Sequence, residues 1–244
     1  MTLQIGHNLR YAHSSKAGIT YADETGMMGY TDELDNGPAM CFNAAKSWQT
    51  GWYNTKRAVV KPSSATNDDR CFEGQLYGIA DFDRPEAENV LVKVDTPNND
   101  NYYVSFNRKA GVNSGTKTAA NKVTVTRSTF EDGYQSGRST SNLVAQLGSG
   151  DQYFATIGGK KVVVAVDRID ASSARVIISE NGLGCFSPST PLPTTASLPT
   201  PAPFSTPPSL PTSASKRDCS CSSKSAKTLV SRVLYEVCLF SYKE

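Results

Sequence analysis

From Val90 to Glu180 the apolar positions recur with period two. Val90, Val92 and Val94 alternate with other residues, and short β-branched or aromatic runs follow at Tyr102–Phe106, Val123–Thr126, Tyr153–Ile157, Val162–Val166 and Val176–Ile178. Side chains on a strand point alternately to its two faces, so this pattern predicts strands with one face buried. Clusters such as Pro97-Asn98-Asn99-Asp100 and Gly158-Gly159 separate the runs. Strands at this spacing, bounded by such turns, predict a β-sandwich-like domain. The Gly158-Gly159 pair predicts a two-residue hairpin, because tight hairpins need positive φ and glycine supplies it without steric cost.

Residues 1–50 lack this alternation. Their apolar residues are spaced unevenly, closer to a helical distribution, and both histidines of the chain lie among them. Residues 187–215 hold nine of the 13 prolines, with Ser, Thr, Ala and Leu between them. That composition cannot bury a core and predicts a disordered, extended linker of the polyproline or glycosylated-stalk kind. From Lys216 onward a basic, Cys-containing tail carries Leu229, Val230, Val233, Leu234 and Val237 at the spacing of a short amphipathic helix. The four zones read as residues 1–60, 61–186, 187–215 and 216–244.

Charge narrows the possible functions. The formal net charge is +2, and six basic against three acidic residues from Lys216 onward leave the preceding chain at −1. A near-neutral globular part offers no basic face for phosphate, so nucleic acid is not an expected partner. The longest apolar run, Val162–Val166, is far below the roughly 20 residues that a membrane-spanning helix needs. Met1 leads straight into Thr2-Leu3-Gln4-Ile5-Gly6-His7, without the basic and apolar regions of a secretory signal. The six cysteines suit a disulfide-bonded protein, with 15 possible connectivities.

Candidate chemistry gathers at the N-terminus. Metzincin zinc peptidases carry H-E-x-x-H-x-x-G-x-x-H. Ligands four apart share one helix face, and the adjacent Glu acts as general base. The glycine then turns the chain so that the third ligand reaches the metal. Here His7 and His13 keep the six-residue separation of the second and third ligands. Fifteen residues after His13, Gly26-Met27-Met28-Gly29-Tyr30 is similar to the Met-turn of that clan, with Met28 as its methionine. Tyr30 stands where some members place a tyrosine that assists at the transition state.

These segments, together with Gly37-Pro38-Ala39-Met40-Cys41-Phe42-Asn43-Ala44-Ala45-Lys46-Ser47-Trp48-Gln49-Thr50-Gly51-Trp52-Tyr53 and the stretch Asn101–Thr116, resemble the gametolysin family of zinc metallopeptidases over roughly residues 3–185. The resemblance implies an α+β fold, with the C-terminal part of a metzincin-like catalytic domain in residues 1–60 and the β-rich domain in 61–186. It implies zinc as cofactor, held by His7 and His13, and a protein or glycoprotein substrate of the extracellular matrix or cell wall. It also implies an extracellular location and structural disulfides for Cys41, Cys71 and Cys185.

The departures from the family pattern fall on the chemistry. Leu3 occupies the first ligand position and has no lone pair to offer. Gln4 occupies the place of the catalytic Glu, and an amide does not take up a proton at ordinary pH. If one residue has been lost after Gln4, that side chain is instead a Gln ligand, displaced by about 100° around the helix. Arg10 stands where the turn glycine belongs, and a Cβ in a left-handed conformation costs roughly 1–2 kcal/mol. The chain also opens inside the active-site helix, as a fragment or a late-started reading frame does. The expectation is a copy impaired in hydrolysis that holds zinc weakly or not at all. A non-catalytic matrix or binding protein, with function in the β domain and stalk, is the alternative.

Other clusters carry blander expectations. Asp81-Phe82-Asp83 and Asp95 to Asp100 fit polar turns, because no twelve-residue calcium loop is present. Trp48, Trp52 and Tyr53 fit core aromatics. Cys219-Ser220-Cys221 is too tight for a zinc C-x-x-C pair.

Overall fold

The computed structural model describes residues 6–29, 40–66, 68–129, 140–182 and 184–185. The Pro/Ser/Thr-rich linker, the basic tail, Leu3, Gln4 and Tyr30 lie outside these residues.

Among the described residues, ten strands form two sheets: β1 (Ser14–Lys16), β2 (Arg57–Val60), β3 (Phe72–Tyr77), β4 (Leu91–Val94), β5 (Asn101–Asn107), β6 (Lys122–Ser128), β7 (Ser141–Leu147), β8 (Gln152–Ile157), β9 (Lys160–Ile169) and β10 (Ser173–Glu180). One sheet runs β1-β7-β6-β5-β4-β2 and the other β3-β10-β9-β8. A helix, α1 (Ala44–Thr50), packs against β5 and β6. The fold is α+β with strands predominating.

The alternating pattern sets the layers. Val104 and Phe106 of β5, with Val123 and Val125 of β6, face Val162, Val164 and Val176 of the second sheet in a shared core. Tyr103 of β5 points the other way, into a second core with Ala44, Ala45 and Trp48 of α1. The six-stranded sheet is therefore covered on both faces. The hairpin expected at Gly158-Gly159 joins β8 to β9, with Ile157 opposite Lys160 and both glycines at positive φ, 57° and 79°. Cys71, just before β3, is bridged to Cys185, which follows β10. Cys41 is buried in the core beneath α1, outside that bridge.

A division at residues 60 and 61 does not follow the sheet. β1 and β2, both from the first 60 residues, form its two edges, pairing in parallel with β7 and β4. Backbone pairing at a sheet edge needs little apolar sequence, so Ser14-Ser15-Lys16 joins the sheet without showing the alternation that marks its neighbours.

Aromatic and acidic clusters take structural positions. Trp48 and Tyr53 are buried, and Trp52 packs partly buried beside Phe42. Asp81 pairs with Arg108 and Arg84, Asp95 with Lys93, and Asp100 with Arg127. These carboxylates serve as ion-paired turn residues.

Candidate metal centre

Residues 6–8 are helical, and the chain leaves this turn through a left-handed residue. Arg10 has φ 62°. Its N–H donates to the His7 carbonyl at 2.8 Å, and the Tyr11 N–H donates to the Gly6 carbonyl at 3.0 Å. This pair of bonds is a Schellman cap. It places position 10 in the conformation for which the zinc-peptidase motif uses glycine, although a side chain is present here.

The cap brings the two histidines together. His7 Nε2 and His13 Nε2 are 3.1 Å apart, with ring centroids 4.9 Å apart and planes at 79°. His7 Nδ1 lies 3.0 Å from the Tyr11 carbonyl oxygen. A carbonyl can only accept, so Nδ1 donates to it and Nε2 is the ring nitrogen left to face His13. A carbonyl on the far nitrogen is the usual device for orienting a metal-ligating histidine. Burial, the neighbouring His7 and then Lys46 lower the pKa of His13, which favours the neutral, ligating form.

The methionine turn packs against the helical turn that carries His7. Gly29 N–H donates to the Gly26 carbonyl at 3.1 Å, closing a β-turn with Met27 and Met28 at its centre. Met28 is 1% exposed, and its sulfur packs so closely under Gly6 that an added Cβ there would overlap it. Ser14 N–H donates to the Met28 carbonyl at 2.7 Å, tying the turn to the residue that follows His13.

A buried polar network anchors this region to the sheet. Asn43 caps α1 by accepting from the Lys46 N–H at 3.0 Å. Its amide nitrogen lies within 2.8–3.0 Å of Asp23 Oδ2, Ser141 Oγ and Ser14 Oγ. Asp23 also accepts from the Thr25 N–H and hydroxyl. Burial raises the Asp23 pKa, and the hydrogen bonds from Thr25 and Asn43 oppose that rise. The α1 cap, the loop before the Met28 turn and strands β1 and β7 thus meet at the Asn43 amide.

The structure brings His7 and His13 within hydrogen-bond distance and packs Met28 under Gly6, the residue before His7. Gln4 and Tyr30 fall outside the described residues. Among the described residues, no three His, Cys, Asp or Glu side chains group to hold a metal. Tyr21, which no motif singles out, stands at the site: its hydroxyl is 2.9 Å from His13 Nε2, and its ring lies 4.0 Å from the His13 ring. The only hint in the sequence is an aromatic residue eight positions after His13. Two imidazoles with their Nε2 atoms turned toward each other can exchange the shared proton for a transition-metal ion, and their donor chemistry fits zinc. Comparison of the chain with family models, curated proteins and solved structures gives no match.

Proposed function

We propose that the chain is a relative of the gametolysin-type zinc metalloendopeptidases directed at extracellular-matrix or cell-wall glycoproteins, in a copy impaired in hydrolysis. The observation that carries the reading is the 3.1 Å approach of the two Nε2 atoms beside a buried methionine turn. The left-handed Arg10, at the motif's glycine position, supports it. The Cys71–Cys185 bridge supports an oxidising, extracellular location.

In this reading His7 and His13 hold zinc, with Tyr30 near the reacting group by its place in the motif. Bound zinc supplies Lewis-acid polarisation of a peptide carbonyl. The Tyr11 carbonyl holds the His7 ring in its ligating tautomer, and Met28 fills the space beneath Gly6 so that the turn carrying His7 is supported. Gln4 cannot accept a proton from water, and absence of a general base removes about 10²–10⁴-fold in rate.

Zinc calorimetry, paired with cleavage of casein or matrix glycoprotein with and without a chelator, tests the proposal. The expected result is zinc binding weaker than micromolar, lost in His7→Ala, with cleavage near background. Submicromolar binding with chelator-sensitive cleavage would show a complete active site instead. No zinc binding at any concentration would favour the non-catalytic matrix protein.

A further inference from the structure

We infer that Tyr21 is a third metal donor, so that His7, His13 and Tyr21 form a two-nitrogen, one-oxygen site for a divalent transition-metal ion. The inference rests on the reading of His7 and His13 as ligands and adds a residue that the zinc-peptidase motif does not contain. His13 Nε2 lies 3.1 Å from His7 Nε2 and 2.9 Å from Tyr21 Oη. With donor–metal distances of about 2.0–2.1 Å, ligand atoms at coordination angles of 90–110° lie about 2.9–3.4 Å apart. Both separations fall within that span without any movement of the side chains.

His13 Nε2 faces two partners at once, His7 Nε2 and Tyr21 Oη. The hydrogen bond between His7 Nδ1 and the Tyr11 carbonyl holds the His7 ring with Nε2 toward His13. A cation between the three atoms takes the place of the hydrogen bonds among them. The backbone contributes to the placement: Tyr21 has φ 66°, a conformation uncommon for a bulky residue and one that persists only where its surroundings hold it. All three side chains are half-buried, so an ion reaches them from solvent.

On coordination the phenol binds as phenolate. The new bond is metal–oxygen, the O–H bond breaks and the proton passes to solvent, while the neutral imidazoles release none. A phenolate also returns electron density to the metal and weakens it as a Lewis acid, in keeping with impaired hydrolysis.

Copper(II) is the probe, titrated into the full chain at neutral pH. The expected result is a visible phenolate-to-copper charge-transfer band that saturates at one equivalent, with one proton released per ion by calorimetry in buffers of different ionisation enthalpy. Tyr21→Phe should abolish the band and the proton release. It should also weaken binding at least as much as the about tenfold loss typical of removing a residue that only orients a ligand. A wild-type band that persists in Tyr21→Phe, or copper binding without a band that His7→Ala or His13→Ala weakens, overturns Tyr21 as donor and leaves the histidine site standing. Copper binding indifferent to both histidine variants overturns the site itself.

Discussion

Replacing Lys46 by Met should change how stability depends on pH. Lys46 is fully buried on α1, its ammonium 5.7 Å from the centre of the Tyr11 ring, and burial lowers its pKa from 10.5 to about 7. Between those two values the unfolded chain binds more protons at this position than the folded one, so the Lys46 contribution to stability rises with pH. Below about pH 7 both states are protonated and the slope vanishes. At about 1.4 kcal/mol per pH unit, and allowing for half-protonation near pH 7, the contribution changes by about 2 kcal/mol between pH 7 and pH 9. Met has nearly the same shape and no charge to desolvate. The stability difference between Lys46→Met and the natural protein should therefore shrink by about 2 kcal/mol over that range, with the variant favoured most at the acidic end. Urea denaturation followed by the fluorescence of Trp48 and Trp52 measures it. A difference that stays constant from pH 7 to pH 9 would refute a lysine that gives up its proton within the fold.

Arg10→Gly should stabilise the protein by about 1 kcal/mol in the same assay, because the left-handed φ of 62° ceases to carry a Cβ; a loss of stability would mean that the arginine side chain holds the turn. Gly6→Ala should cost about 1–3 kcal/mol through overlap with the Met28 sulfur. In a double-mutant cycle with Met28→Ala that cost should fall, and strict additivity would place the sulfur away from Gly6. Removing the Cys71–Cys185 bridge by a double Ser substitution should cost about 2–5 kcal/mol, since it closes a loop of 114 residues; unchanged thermal stability would show the bridge to be absent in solution.

The strands from β4 onward were legible wherever apolar side chains alternate, as in β5 and β6, or form a β-branched run, as in β9. β7 and β3 were not, because Ser141-Asn142 and Glu73-Gly74-Gln75 interrupt the apolar rhythm and the strands are specified by backbone pairing with neighbours already in place. β1 has no apolar residue at all. Of the candidate site, the approach of His7 to His13 could be read because a chain-reversing turn stands between them in the motif, and the left-handed Arg10 makes such a turn here. Tyr21 could not, since its approach to His13 comes from a loop whose path depends on the Asp23 network and the left-handed residue at its own position. Asn43 likewise shows in sequence only as a helix cap; that it also joins β1, β7 and Asp23 is a property of the assembled sandwich.

Diffraction from crystals of the full chain grown with zinc, recorded across the zinc absorption edge, tests the central claim most directly. The account predicts an anomalous peak about 2.0–2.1 Å from Nε2 of both His7 and His13. A peak elsewhere in the molecule, or none at these rings at saturating zinc, would contradict it.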